Sequence, residues 1–148
     1  MRQIVLLALL MLILSNSASA TCFGRHGITG QMVQAVEVGG QTIGNAYATS
    51  NWMPNGWPII TYGPRFFLLD PLLQSFVKIH ECAHLSIPTS DEIRANCTAL
   101  KSMRHHGLSD DEEDEIANWT RSEGLIDLRY GGTGEAFWNA TLACAGTH

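Results

Sequence analysis

Apolar residues change their spacing several times along this chain. Ile4 to Leu14 is an almost unbroken apolar run. From Gln31 to Val38 apolar and polar positions alternate loosely, Gly39-Gly40 intervenes, and Gln41 to Ala48 continues the pattern. This predicts two strands joined by a tight hairpin turn. Asn51 to Pro58 collects prolines, asparagines and a glycine and predicts a loop, with Trp52 and Trp57 available to pack it. Pro58-Ile59-Ile60-Thr61-Tyr62 then predicts a third strand, closed by Gly63-Pro64.

Beyond that point the period lengthens. Asp70-Pro71 is an N-cap acid followed by a proline suited to a first helical turn. Leu72, Phe76, Ile79 and Ala83 recur at three- and four-residue spacing, which predicts a helix burying an apolar stripe against the sheet, with Pro88 ending it. Thr89-Ser90-Asp91-Glu92 opens a second helix that runs to about His106 and Gly107. A third begins after Ser109, whose pairing with Glu112 reads as a capping box, and closes at Gly124. Gly131-Gly132 predicts a turn, and Thr133 or Gly134 to Ala145 a fourth helix. A short, roughly three-stranded sheet with three to four helices is an α+β fold.

The first apolar run has a different meaning. A short positive start, the run itself and Ala18-Ser19-Ala20 together form the pattern of a secretory signal peptide over residues 1–20. The exported domain is then expected over 21–148, which is 148 − 20 = 128 residues and suits one domain. Its destination is the periplasm or the extracellular space. Loss of Arg2 takes the formal charge from −5 to −6. An acidic exported domain offers no electrostatic footprint for nucleic acid, and after cleavage no apolar segment remains to hold it in a membrane. The acidic run 110–115 lacks the ligand alternation and central glycine of a calcium loop and reads as a helix start. Cys22, Cys82, Cys97 and Cys144 form an even set, so two disulfides are expected. Cys82–Cys97 would staple consecutive helices and Cys22–Cys144 would tie the termini. Asn96, Asn118 and Asn139 each begin an N-x-T triplet, all three inside predicted helices.

The chemistry concentrates in His80-Glu81-Cys82-Ala83-His84. Imidazoles at i and i+4 stack on one helix face and can reach one ion, while Glu81 can address its open position. Cys82 lies about 200° round the axis from His80 and is not expected to be a ligand. A zinc site needs a third group, and Glu92, early in the next helix, is the candidate, with Asp91 as substitute if the register slips. Thr89-x-x-Glu92 also reads as a capping box that needs no metal. Asn96, one turn beyond Glu92, could orient a ligand or be a surface residue. Tyr130, beside Gly131, is a weaker candidate for an oxyanion donor.

His80-Glu81-x-x-His84 followed by Glu92-x-x-Ala95-Asn96 resembles the gluzincin type of zinc metallopeptidase over roughly 59–100. The resemblance implies His80, His84 and Glu92 as ligands of one zinc ion and Glu81 as the general base. The interval from His84 to Glu92 is shorter than in most such enzymes, and Lys78 adds a charge they usually lack. The expected function is hydrolysis of a peptide or protein substrate by zinc-activated water. A strand at Ile59–Tyr62, if it lay at the sheet edge, would align that substrate. The alternatives are a metal-binding domain without catalysis and a disulfide-stabilised interaction module.

Overall fold

A computed structural model describes residues 21–41, 43–123, 129 and 131–146. Residues 1–20, over which a signal peptide is expected, and Gly124, Tyr130 and His148 lie outside them. The described chain is α+β, with two small sheets, four helices and two disulfides. Strands β1 (Phe23–Arg25) and β2 (Met32–Gln34) pair antiparallel, with Arg25 opposite Met32. Strands β3 (Val36–Gly39), β4 (Ala48–Trp52) and β5 (Pro58–Tyr62) form the second sheet in the order β3-β5-β4. β3 runs parallel to β5 and β4 antiparallel to it.

This corrects the hairpin expected across Gly39-Gly40. β3 and β4, on either side of Gly39-Gly40, do not pair with each other: both pair with β5, while β2 pairs with β1. The reason lies in composition. Pro58, Ile60 and Tyr62 are all buried, so the most apolar strand takes the centre, while the more polar β3 and β4 take the edges. The hairpin lies one connection later, where Asn51 to Pro58 turns β4 into β5. β5 therefore has no free edge, and the outer edges of this sheet belong to β3 and β4.

Helix α1 (Pro71–Ser86) starts as expected: Asp70 accepts from the Leu73 amide and Pro71 occupies the first turn. Helices α2 (Glu92–His105), α3 (Asp110–Ser122) and α4 (Gly134–Ala145) follow. The Ser109–Glu112 capping box is present at α3. α1 serves two cores. Val77 and Leu85 join Cys22, Ile60, Tyr62 and Phe66 against the strands. Leu73 and Phe76, with Leu72 and Ile79 half-buried beside them, join Leu100, Met103, Ile116 and Trp138 among the helices. The expected stripe thus faces the other helices rather than the sheet. Lys78 reaches back to β3, where its ammonium pairs with Glu37 at 3.0 Å, and Glu37 also accepts from the Tyr62 hydroxyl. Burial, with the charges of Glu37 and Glu81 and the bond to Glu37, raises the Tyr62 phenol far above its ordinary pKa.

The disulfides are Cys22–Cys82 and Cys97–Cys144, so both expected pairings are wrong. The 200° between His80 and Cys82 supplies the reason. The face of α1 that meets α2 is the histidine face, and Cys82 must point the opposite way, towards β1. There Gly24 allows the approach, because a Cβ on it would lie 2.7 Å from that of Leu85. Cys97 follows Asn96 on α2 and faces α4. Two bridges of this kind belong to an oxidising compartment. Among the described residues, no helix is long and apolar enough to cross a membrane.

Candidate metal centre

α1 and α2 are consecutive helices joined by a turn at 87–91, which returns the start of α2 to the end of α1. Ile87 ends α1 with its amide on the Ala83 carbonyl. Thr89 does not cap α2. Its hydroxyl accepts from the Asp91 amide, and Asp91 is the N-cap, accepting from Ile93 and Arg94. The capping box read at Thr89–Glu92 is therefore absent, and Asp91 is occupied as a cap rather than a ligand. Glu92, at the first helical position, is left with its carboxylate directed at α1.

There it meets both histidines. Glu92 Oε2 lies 3.0 Å from His80 Nε2 and 3.3 Å from His84 Nε2, and the two Nε2 atoms are 3.1 Å apart. Each ring is turned by its other nitrogen: His80 Nδ1 donates to Asn96 Oδ1 at 2.6 Å, and His84 Nδ1 donates to the Thr89 carbonyl at 2.7 Å. With both Nδ1 atoms carrying the ring protons, the Nε2 atoms present lone pairs. Three acceptor atoms then converge, an arrangement that a metal ion satisfies and that, without one, a proton on a histidine Nε2 bonding to Glu92 also satisfies.

A metal ion fits this donor set. Ligands of a tetrahedral zinc ion at 2.0–2.1 Å stand about 3.4 Å from one another, close to the spacings found here. His80, His84 and Glu92 form the group among the described residues that can hold such an ion. Two neutral imidazoles and one carboxylate are borderline-soft donors suited to zinc, and the outward hydrogen bonds to Asn96 and Thr89 supply the orientation that metal-bound histidines usually receive.

The electrostatics follow from the same contacts. Burial works against protonation of His84, but the bond to Glu92, the bond to Thr89 and the charges of Glu92 and Glu81 outweigh it and hold its pKa above the ordinary value. Burial alone would raise the Glu92 carboxyl. Hydrogen bonds from His80 and His84 and their charges reverse this and hold it far below the usual carboxylate range.

Glu81 is buried, 8% exposed, and shares with His80 and Glu92 a cleft of about 270 Å³. Tyr47 and Ala48 line it at the start of β4, and Phe76, Trp119 and Phe137 give it an apolar wall. The Trp119 indole nitrogen is the buried side-chain polar atom left without a partner among the described residues. At the rim, the Tyr47 hydroxyl donates to Glu123 at 2.5 Å and receives Arg65 at 2.6 Å. A shallower hollow beside Ala35 and Trp57 contains none of the ligand side chains.

The structure thus brings His80, His84, Glu92 and Asn96 together, with Glu81 beside them. Tyr130 is outside the described residues. Cys82 is bridged to Cys22, and no ligand role remains for it. Sequence reasoning missed Tyr47, Trp119, Glu123 and Phe137, which come from distant elements and carry no local signal. Comparisons with protein-family models, curated proteins and solved structures find no match to this chain.

Proposed function

We propose that the protein is an exported zinc metallopeptidase. The reading rests on one observation: His80 Nε2, His84 Nε2 and Glu92 Oε2 converge within 3.3 Å, with Glu81 buried on the same cleft. A zinc ion on these donors supplies Lewis acidity towards a carbonyl and lowers the pKa of its water to about 7. Asn96 and the Thr89 carbonyl keep the two imidazoles in the ligating tautomer. The Glu81 carboxylate takes the proton from the attacking water and passes it to the departing amine. Glu92 offsets charge at the site and leaves it able to polarise a neutral amide.

The cleft favours an extended, partly apolar substrate. Tyr47 and Ala48 bring the open edge of β4 to its margin, so a peptide can add there as a strand.

The test is metal analysis joined to one substitution. The purified exported protein should carry about one zinc per chain. Glu81→Gln should retain that zinc and lower hydrolysis of casein or a peptide library by roughly 10²–10⁴-fold. A metal-free protein, or hydrolysis unaffected by the substitution, removes the reading.

A further inference from the structure

Among the described residues, the large hydrophobic side chains left exposed all lie between Phe23 and Leu68, in the strand half of the molecule. They include Phe23 at 51%, Ile28 at 73% and Met32 at 50%. Register explains the first and last. Gly24 and Val33 pair on the inner face of the β1–β2 sheet, where Gly24 approaches Leu85. Phe23, Arg25 and Met32 therefore share the outer face, which no other element among the described residues covers. Ile28 caps the turn between these strands. That turn packs against the β4–β5 turn: Gly27 N–H donates to the Gly56 carbonyl at 2.7 Å, and the Trp52 indole donates to the Arg25 carbonyl at 2.7 Å. The His26 ring meets Trp57 edge-on at 5.8 Å. Two hairpin tips thus project side by side and carry an isoleucine and two tryptophans.

Charge is divided the same way. Residues 21–69 hold Arg25 and Arg65 against the single acid Glu37, a net of 2 − 1 = +1. The exported chain totals −6, so residues 70–148 carry −6 − 1 = −7. The apolar face therefore sits on the half from which acids are almost absent.

We infer that this hairpin face docks on a lipid bilayer bearing anionic headgroups. Tryptophans at turn tips, aliphatic neighbours and a nearby arginine suit the interfacial zone, where indole rings bury their bodies and keep their N–H groups bonded. An acid-free face is not repelled by anionic lipid, whereas the −7 helical half is, and this orients the molecule. The inference goes beyond the proposed activity, needs no metal, and differs from the expectation of no membrane contact after signal cleavage.

The test is flotation of the exported protein with vesicles of phosphatidylcholine containing phosphatidylglycerol, and with phosphatidylcholine alone. The protein should partition onto the anionic vesicles with a blue shift in tryptophan emission, and less onto neutral ones. Ile28→Ser with Met32→Ser should lower the partition coefficient about tenfold, and Arg25→Ser about fivefold. Melting temperature in solution confirms that each variant is folded. Absence of binding by the parent protein overturns the inference, as does equal binding by folded variants. Light scattering provides the remaining arm: a dimer that the double variant dissociates, without vesicle binding, makes the face a contact between copies and also overturns it.

Discussion

His80 and His84 are useful to a metal only because each has somewhere else to send its second nitrogen. Asn96 and the Thr89 carbonyl fix both rings with Nε2 inward, and an imidazole free to turn would lose that orientation. Asn96→Ala should therefore lower zinc affinity 10–100-fold while leaving the three ligands in place, as read by competition with a chromogenic chelator. Unchanged affinity would make Asn96 a packing residue. Protons compete for the same lone pairs. Because Glu92 and Thr89 favour the protonated form of His84 in the metal-free protein, zinc competes with a proton there. Affinity should rise with pH through that titration and fall by about tenfold per unit below it, for each proton displaced. The same competition run from about pH 5 to 8 checks this, and a flat profile would mean that His84 is not a ligand. At this scale the sequence was informative: i, i+4 spacing fixes the histidines on one face whatever surrounds them. Asn96 was less so, because its role depends on α2 lying against α1.

Helices were legible where a local code exists and illegible where two codes overlap. Asp70-Pro71 and Ser109–Glu112 mark the starts of α1 and α3 unambiguously, since capping involves only neighbouring residues. At Thr89-Ser90-Asp91-Glu92 both Thr89 and Asp91 can cap, and choosing between them decides what Glu92 does. The structure gives the cap to Asp91. The two acids can then be separated by experiment. Asp91→Ala should cost about 1 kcal/mol of stability by denaturant titration and leave zinc binding nearly unchanged. Glu92→Ala should abolish tight zinc binding and also lower the stability of the metal-free fold, which loses the pairing of Glu92 with His80 and His84. If the effects were reversed, the cap and the ligand would have to be exchanged. The strands were harder to read, because pairing is non-local. Nothing within Gln31–Ala48 reveals that β5, a dozen residues further on, is the partner that both flanking strands prefer. The composition of β5, buried at Pro58, Ile60 and Tyr62, was the available clue.

Each of the two ligand-bearing helices also carries a cysteine, and each bridge leaves from beside the site. Cys82 lies between Glu81 and His84, and Cys97 follows Asn96. One bridge fastens α1 to β1 across 60 residues of sequence, the other α2 to α4 across 47, so the centre is held between two staples. Each bridge restricts the unfolded chain and contributes about 2–4 kcal/mol, a large share of the 5–15 kcal/mol that small domains possess. Metal and bridges then stabilise the same arrangement of α1 against α2, and loss of one should increase dependence on the other. A Cys22→Ser, Cys82→Ser protein should melt well below the parent when stripped of metal. Zinc at 100 times its dissociation constant should restore about 2.7 kcal/mol, measured as a rise in melting temperature. The same addition to a His84→Ala version of that protein should restore nothing. If zinc raised both melting temperatures equally, the ion would be binding elsewhere, and the convergence of His80, His84 and Glu92 would be a hydrogen-bonded cluster without a metal.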